Sequence, residues 1–196
     1  SGALTGWLKD LTLADYPQLL AEAAESGPGA NGLLMLPYFA GERTPIQDPD
    51  ARGVIAGLTL EHTRGDLYRA ALEATALGVR HNVETMRAAG AGIRRIVAVG
   101  GGTQGRLWLQ VVSDVTGLVQ EVPETTIGAS YGAAFLAASA VADERPRITE
   151  WNPIAQRITP DRTLTGRYDT LFDRYVRLYE GSKDVIHELA AEQRGA

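Results

Sequence analysis

The stretch Arg94–Leu109, RRIVAVGGGTQGRLWL, decides how the rest of the chain is read. A run of β-branched and small apolar residues, Ile96, Val97, Ala98 and Val99, stops at Gly100, Gly101 and Gly102. Thr103 and Gln104 then lead into a segment with helical spacing at Leu107, Val111 and Val115. Strand, glycine turn and helix make the sequence pattern of a phosphate cradle. Glycines let backbone N–H groups approach an anion, and a helix N-terminus adds unpaired donors. The dipole itself contributes only ~0.3–1 kcal/mol at an exposed site. The spacing is neither the dinucleotide fingerprint nor a P-loop, since no Gly-Lys-Ser/Thr follows. Taken alone it fits a nucleotide site and a plain tight turn equally.

Bulk properties narrow the field. The 196 residues suffice for one large domain, or for a domain with an appendage. Hydrophobic content of 44% and charged content of 22% are those of an ordinary globular protein. A net charge of −5 gives no electrostatic reason to expect a nucleic-acid or anionic-membrane partner. The sequence has no cysteine, which excludes disulfides, thiolate metal sites and thiol chemistry, and fits a cytoplasmic protein. No apolar run reaches the roughly 18 residues of a membrane span, and the start has no signal-peptide pattern. The chain opens Ser1-Gly2-Ala3-Leu4 without methionine, so it reads as a piece of something longer or as a processed chain.

Outward from the glycines, strand and helix patterns alternate. Residues 4–25 read as two helical pieces, the second begun by Asp15 and Pro17. Gly32–Leu36 is a short apolar run with the look of a strand buried on both faces. Tyr38–Arg52 is polar and proline-rich, with no regular pattern, and Gly53–Leu58 reads as another strand. Asp66–Ala89 is a long helix, apolar on two sides and therefore placed between layers, and Gly90 stops it. A weak strand follows at Leu118–Val122, then a glycine- and alanine-rich helix at Ile127–Ala142, expected to pack tightly on a sheet. Asp143–Asp161 reads as a polar connector, and Tyr168–Leu189 as a last helix whose aromatic stripe packs on its parent domain. The alternation argues for an α/β domain with a mixed or largely parallel sheet.

Few residues offer chemistry. His62, His81 and His187 each lack a second ligand at metal spacing, so structural or surface roles are expected for all three. Nothing resembles a nucleophile elbow. Glu42, Arg43 and Thr44 sit on a loop between two strands, where binding groups gather, although a local Glu–Arg pair on an exposed loop would look the same. Arg52 shares that ambiguity. Arg106, about one turn into the helix after the glycines, could face a phosphate or solvent.

Residues 53–73, GVIAGLTLEHTRGDLYRAALE, resemble the second signature of the FGGY carbohydrate kinases throughout. The flanking Leu36–Gly53 resembles the xylulokinase- and ribulokinase-like branch, Val99–Gly117 the family's adenine-nucleotide element, and Ile127–Ala138 its small-residue helix. The resemblance covers roughly residues 4–140 and more loosely the tail. It implies an α/β lobe of the actin/Hsp70/hexokinase ATPase type, a ribonuclease H-like fold, here truncated at its N-terminal side. Residues 1–145 would be the C-terminal kinase lobe on its nucleotide-binding side, and 146–196 a connector and C-terminal helix packing on the same lobe.

It further implies ATP and Mg²⁺ as cofactors, with transfer of the γ-phosphoryl group to a hydroxyl of a sugar, a pentulose of xylulose or ribulose type. ATP or ADP would contact Gly100, Gly101, Gly102, Thr103 and Arg106. Glu42, Arg43 and Arg52 would face the sugar or the other lobe. Glycerol kinases tend to carry asparagine near the position of Arg106. No aspartate here matches the family's catalytic base, so the catalytic set in this chain is empty and the fragment alone is expected to be inactive. The family's N-terminal lobe would share the sugar, and a homodimer is one expected assembly, since many relatives are dimers. Two rival readings stay open. One is a non-catalytic nucleotide-binding or regulatory module of the same fold. The other is a dinucleotide-type domain, in which Glu121 would hold a ribose.

Overall fold

Thr63 and Asp66 start the helix that carries most of the core. In this computed structural model, which describes residues 2–195, the Thr63 hydroxyl accepts from the Asp66 N–H while the Asp66 carboxylate accepts from the Thr63 N–H, a reciprocal capping box. The helix is α3, Arg64–Ala88, and its buried positions go round the cylinder, from Tyr68, Ala70 and Ala71 to Ala76, Leu77 and Val83. It therefore lies between layers, as its two apolar stripes require.

On one side of α3 pack α1 (Gly2–Thr12), α2 (Tyr16–Ser26) and the short strand β1 (Leu34–Leu36). Asp15 caps α2, and Pro17 sits in its first turn. Gly65 makes the α2–α3 approach close, because a Cβ there would stand 2.8 Å from Glu22 Cβ. β1 pairs antiparallel with β2 (Val54–Ala56) in a two-stranded sheet, Met35 opposite Ile55. The other side of α3 meets α4 (Arg106–Thr116), and the aromatic residues of α7 (Thr165–Gly195) join the same core. Tyr168, Tyr175 and Tyr179 of α7 are all buried there, as the aromatic stripe implies.

The second sheet is mixed, β3–β4–β5. β3 (Arg95–Val97) runs parallel to β4 (Val119–Pro123), and β5 (Ile154–Ile158) runs antiparallel to β4. Its inner face packs on α4 through Leu109, Val122 and Ile158. The Gln120 side chain, fully buried, reaches the Leu109 carbonyl and Ser113 Oγ at 2.5 and 3.1 Å and ties β4 to that helix. Two elements depart from the sequence reading. The connector Asp143–Asp161 contains the one-turn helix α6 (Ile148–Trp151) and β5, whose pattern is too short and too closely bounded by Pro153 and Pro160 to register as a strand. The small-residue helix α5 (Ala129–Val141) does not pack tightly on the sheet: none of its residues is buried, and Leu136 and Val141 are 63% and 86% exposed.

The Asp66 carboxylate also accepts from Ser26 Oγ at 2.6 Å and Asn31 Nδ2 at 2.7 Å. Burial alone would raise this carboxyl, but the donors from Ser26, Thr63 and Asn31 outweigh it and hold the group at about 2. A depressed carboxyl stabilises the fold above its unfolded value and loses that contribution as pH falls through the folded one. Asp66→Asn is therefore expected to cost ~2 kcal/mol at pH 7, with the deficit narrowing below pH 4, read by urea denaturation across pH.

Candidate functional site

The glycine turn sits at the end of β3, where the strand must reverse into α4. Gly100 has φ of 86°, a left-handed conformation that side chains resist. Its N–H donates to the Thr126 carbonyl at 2.6 Å, which fastens the turn to the segment leading into α5. Gly101–Gln104 then form a single 3₁₀ turn, closed by Thr103 N–H and Thr103 Oγ1 on the Gly100 carbonyl at 3.1 and 2.7 Å. The Thr103 hydroxyl thus holds the turn's shape. Arg106 opens α4 with its side chain exposed.

The three glycines differ in what lies over them. A Cβ at Gly100 or Gly101 would meet nothing within 4 Å, so the backbone faces open space there. At Gly102 a Cβ would stand 3.1 Å from Trp108 Nε1, so the indole lies against the back of the turn. Trp108 is half-buried and joins all three core clusters, which makes the turn a rigid ledge backed by the core. Beside it opens a cleft of about 510 Å³ between the outer face of the sheet and helices α5 and α6, lined by Val97, Val99, Thr125, Tyr131 and Asn152 among others. A backbone ledge with open N–H groups next to a mostly apolar cleft is suited to an anion carried on an apolar or aromatic group.

The second set of candidate residues is placed elsewhere. Glu42 and Arg43 lie on the β1–β2 loop, where Glu42 Oε1 accepts from the Arg43 and Thr44 N–H groups at 2.8 and 3.1 Å and Arg43 is exposed. Arg52 is half-buried, with Nη1 on the Pro49 and Ala51 carbonyls and Nε 2.9 Å from Gln193 Oε1 of α7. Among the described residues no hydrogen bond or ion pair links this loop to the glycine turn.

The three histidines take structural positions. His62 bonds Thr59 and the Asn31 carbonyl, His187 bonds Asp48 at 2.8 Å, and His81 packs edge-on to Phe172 and Tyr175. Burial lowers the His81 pKa and so favours its neutral form. No group of three or more metal-ligating side chains is close enough to hold an ion among the described residues. Glu121, the residue a ribose would need in a dinucleotide site, is held between Arg95 and Arg157, and their hydrogen bonds lower its carboxyl. That carboxylate is already occupied, which removes the main support for the dinucleotide reading.

Three features escaped the sequence reading. One is the Asp48–Tyr179–His187 cluster, in which Tyr179 OH and His187 Nε2 both lie 2.8 Å from Asp48 Oδ2. Another is the buried set of Arg69, Glu73 and Tyr168. The third is Trp108 behind Gly102. All three join residues remote in sequence or depend on side-chain packing, and only the i,i+4 spacing of Arg69 and Glu73 gave a local signal.

The parallel β3–β4 pair, the glycine turn and the flanking helices are parts of an actin- and hexokinase-like fold. The comparisons with known proteins agree. The profile described as "FGGY family of carbohydrate kinases, C-terminal domain" matches residues 1–141, and the chain belongs to that family. It is 33% identical over 179 residues to the xylulose kinase of Staphylococcus xylosus, covering 89% of this chain and 37% of that protein. It is 35% identical over 176 residues to the ribulokinase of Mycolicibacterium smegmatis, covering 88% and 31%. Among solved structures, the xylulose kinase of Rhodospirillum rubrum superposes with a TM-score of 0.82 at 35% identity, over 95% of this chain and 39% of that one. The chain thus spans less than two fifths of the length of these relatives.

Unequal cover over the glycines gives a direct test. Gly101→Ala is expected to leave stability within ~0.5 kcal/mol, as for an open surface site. Gly102→Ala must push the Trp108 ring, which is expected to cost ~1–3 kcal/mol and to shift tryptophan emission, read by thermal melts and fluorescence.

Proposed function

We propose that this chain forms the nucleotide-binding part of the C-terminal lobe of a cytoplasmic, ATP-dependent carbohydrate kinase acting on a pentulose of the xylulose or ribulose type. The observation that carries the reading is the Gly100–Gly102 turn, whose first two residues face open space in a chain that belongs to the FGGY family. The names of its relatives, mostly xylulose kinases with a ribulokinase and a gluconokinase beside them, support a sugar kinase and favour the pentulose class.

What supports ATP at this ledge is the open space at Gly100 and Gly101, where a Cβ would meet nothing within 4 Å and a phosphate could approach the backbone. In this reading Gly101 and Gly102 supply backbone donors to the phosphates, Gly100 gives them close approach while its own N–H holds the Thr126 carbonyl, Thr103 fixes the curvature of the turn, and the Arg106 guanidinium supplies positive charge at its outer side. Phosphoryl transfer is mostly positioning and charge stabilisation, so a lobe that orients nucleotide contributes without holding the reacting hydroxyl. Bound ATP with Mg²⁺ supplies the γ-phosphoryl group and the cation that bridges its oxygens. In this reading Mg²⁺ reaches this lobe through the bound nucleotide. The carboxylate that takes the sugar's proton, and most groups that select the sugar, would belong to the other lobe of a protein of the relatives' length. The isolated chain would then be inactive.

The test has two parts. ATP or ADP titrated into this chain should alter Trp108 emission. Gly101→Val should weaken that binding ~10-fold or more at unchanged melting temperature, since loss of one or two backbone contacts is worth about 1.4 kcal/mol. In the full-length protein the same substitution should raise the KM for ATP and leave the KM for the sugar nearly unchanged across a panel of ketopentoses, ketohexoses and polyols. Nucleotide binding absent from both chain and full-length protein would overturn the reading. Binding without turnover would favour a regulatory module.

A further inference from the structure

The β1–β2 loop, Tyr38–Arg52, has no regular structure, so its shape depends on what it touches. Within the loop, Glu42 and Asp48 exchange two backbone hydrogen bonds at 2.8 and 2.7 Å. Gly41, at φ of 75°, passes so close to Pro49 that a Cβ would lie 2.7 Å from its carbonyl oxygen. Asn82 of α3 donates to the Thr44 carbonyl at 3.3 Å, and Ala51 is buried in the core, while the polar side chains of the far side are held from α7 beyond Leu178. The Asp48 carboxylate is 6% exposed; Oδ1 accepts from the Asp50 N–H at 3.0 Å, and Oδ2 from Tyr179 OH and His187 Nε2, each at 2.8 Å. Arg52 Nε donates to Gln193 Oε1 at 2.9 Å, and Asp50 pairs with Arg194. Four residues of one helix, Tyr179, His187, Gln193 and Arg194, therefore grip three residues of the loop. A helix advances 1.5 Å per residue, so the grip runs along roughly 20 Å.

The loop also carries Glu42 and Arg43, and the backbone pairing of Glu42 with Asp48 couples their position to the gripped side. A displaced Asp48 moves Glu42 directly. We propose that the segment Tyr179–Arg194 of α7 is a strap that sets the position of the Glu42–Arg43 tip, with His187, Gln193 and Arg194 as positioning residues for the sugar side of the site. This rests on the reading above in which Glu42 and Arg43 face the sugar or the other lobe. The strap lies beyond residue 141, where the family profile ends.

The experiment pairs hydrogen exchange on this chain with kinetics on the full-length protein, using His187→Ala with Arg194→Ala and, as the conservative control, His187→Gln. The Gln side chain can still donate to Asp48. The double variant is expected to raise exchange over residues 40–52 ~10-fold while α3 stays protected, as local opening without global unfolding does. In the full-length enzyme it should raise the KM for the sugar ~5-fold or more and leave the KM for ATP within about twofold, since small displacements of positioning groups act on the ligand they hold. His187→Gln should recover most of both effects. Unchanged exchange in the loop would overturn the strap. Raised exchange with both KM values unchanged, or with both raised equally, would overturn its positioning role. A full-length wild type without kinase activity would overturn the functional reading and the sugar-side role with it, while exchange alone still decides whether α7 holds the loop.

Discussion

At the centre of the molecule one carboxylate gathers three parts of the chain. Glu73 Oε1 accepts from Arg69 Nε at 2.9 Å, from Tyr168 OH at 3.0 Å and from the Gly29 N–H at 2.8 Å, joining α3, α7 and the loop after α2. Arg69 and Glu73 are 4% and 1% exposed. Taking such a pair out of water costs several kcal/mol per ion, and their attraction offsets this only when hydrogen bonds are well supplied. Arg69 Nη2 also reaches Tyr168 OH, at 3.0 Å, while the second carboxylate oxygen, Glu73 Oε2, is buried without a partner among the described residues. Burial and the negative charge of Glu73 push the Tyr168 hydroxyl far above its ordinary range, so it remains a donor. The set is weak as a source of net stability and strong as a specification: any other seating of α7 would strand a buried charge.

With α7 fixed there, the rest of its length finds partners in register. Tyr175 OH meets Tyr38 OH at 2.6 Å, and desolvation raises the Tyr38 hydroxyl to about 12, which keeps both protons in place. Arg80 of α3 bonds Asp169 at 2.7 Å and lies over the Phe172 ring at 4.7 Å. The two candidate regions hang from this frame on opposite attachments. The glycine turn is backed by Trp108 and α4, and the β1–β2 loop by α7. A nucleotide ledge and a sugar-side loop can thus be held independently by one core.

Much of this was legible in the residues. The apolar spacing placed α3 from about Asp66, two residues past its observed start at Arg64, Gly90 marked its end, and the two apolar stripes its burial between layers. The β-branched run before Gly100 and the spacing of Leu107, Val111 and Val115 located β3 and α4. The family resemblance rested on ordered motifs and matched the profile comparison. What stayed hidden was non-local. Asp48 meets Tyr179 and His187 across more than 130 residues, and no local period encodes that pairing. β5 is a strand only because β4 offers it an edge. The reading of α5 failed for the complementary reason: small apolar residues state that a helix can be approached closely, not that something described here approaches it. The roles assigned to individual glycines were inferred from the family pattern, and only geometry separated Gly101, open above, from Gly102, which rests on an indole.

The uncovered flank has a practical side. Among the described residues β3 is hydrogen-bonded on one edge alone, Val97 and Val99 are 47% and 50% exposed, and α5 beside them turns Leu136 and Val141 outward. An unpaired strand next to apolar surface is a template for another chain, and concentration favours that encounter. Arg94 at the head of the strand is exposed and places charge where two such edges would meet, while the neighbouring Arg95 is paired with Glu121. Handling this chain in isolation is thus a matter of colloid chemistry as much as of folding: dilution, and low salt that leaves the net charge of −5 unscreened, work against the flank finding its own copy.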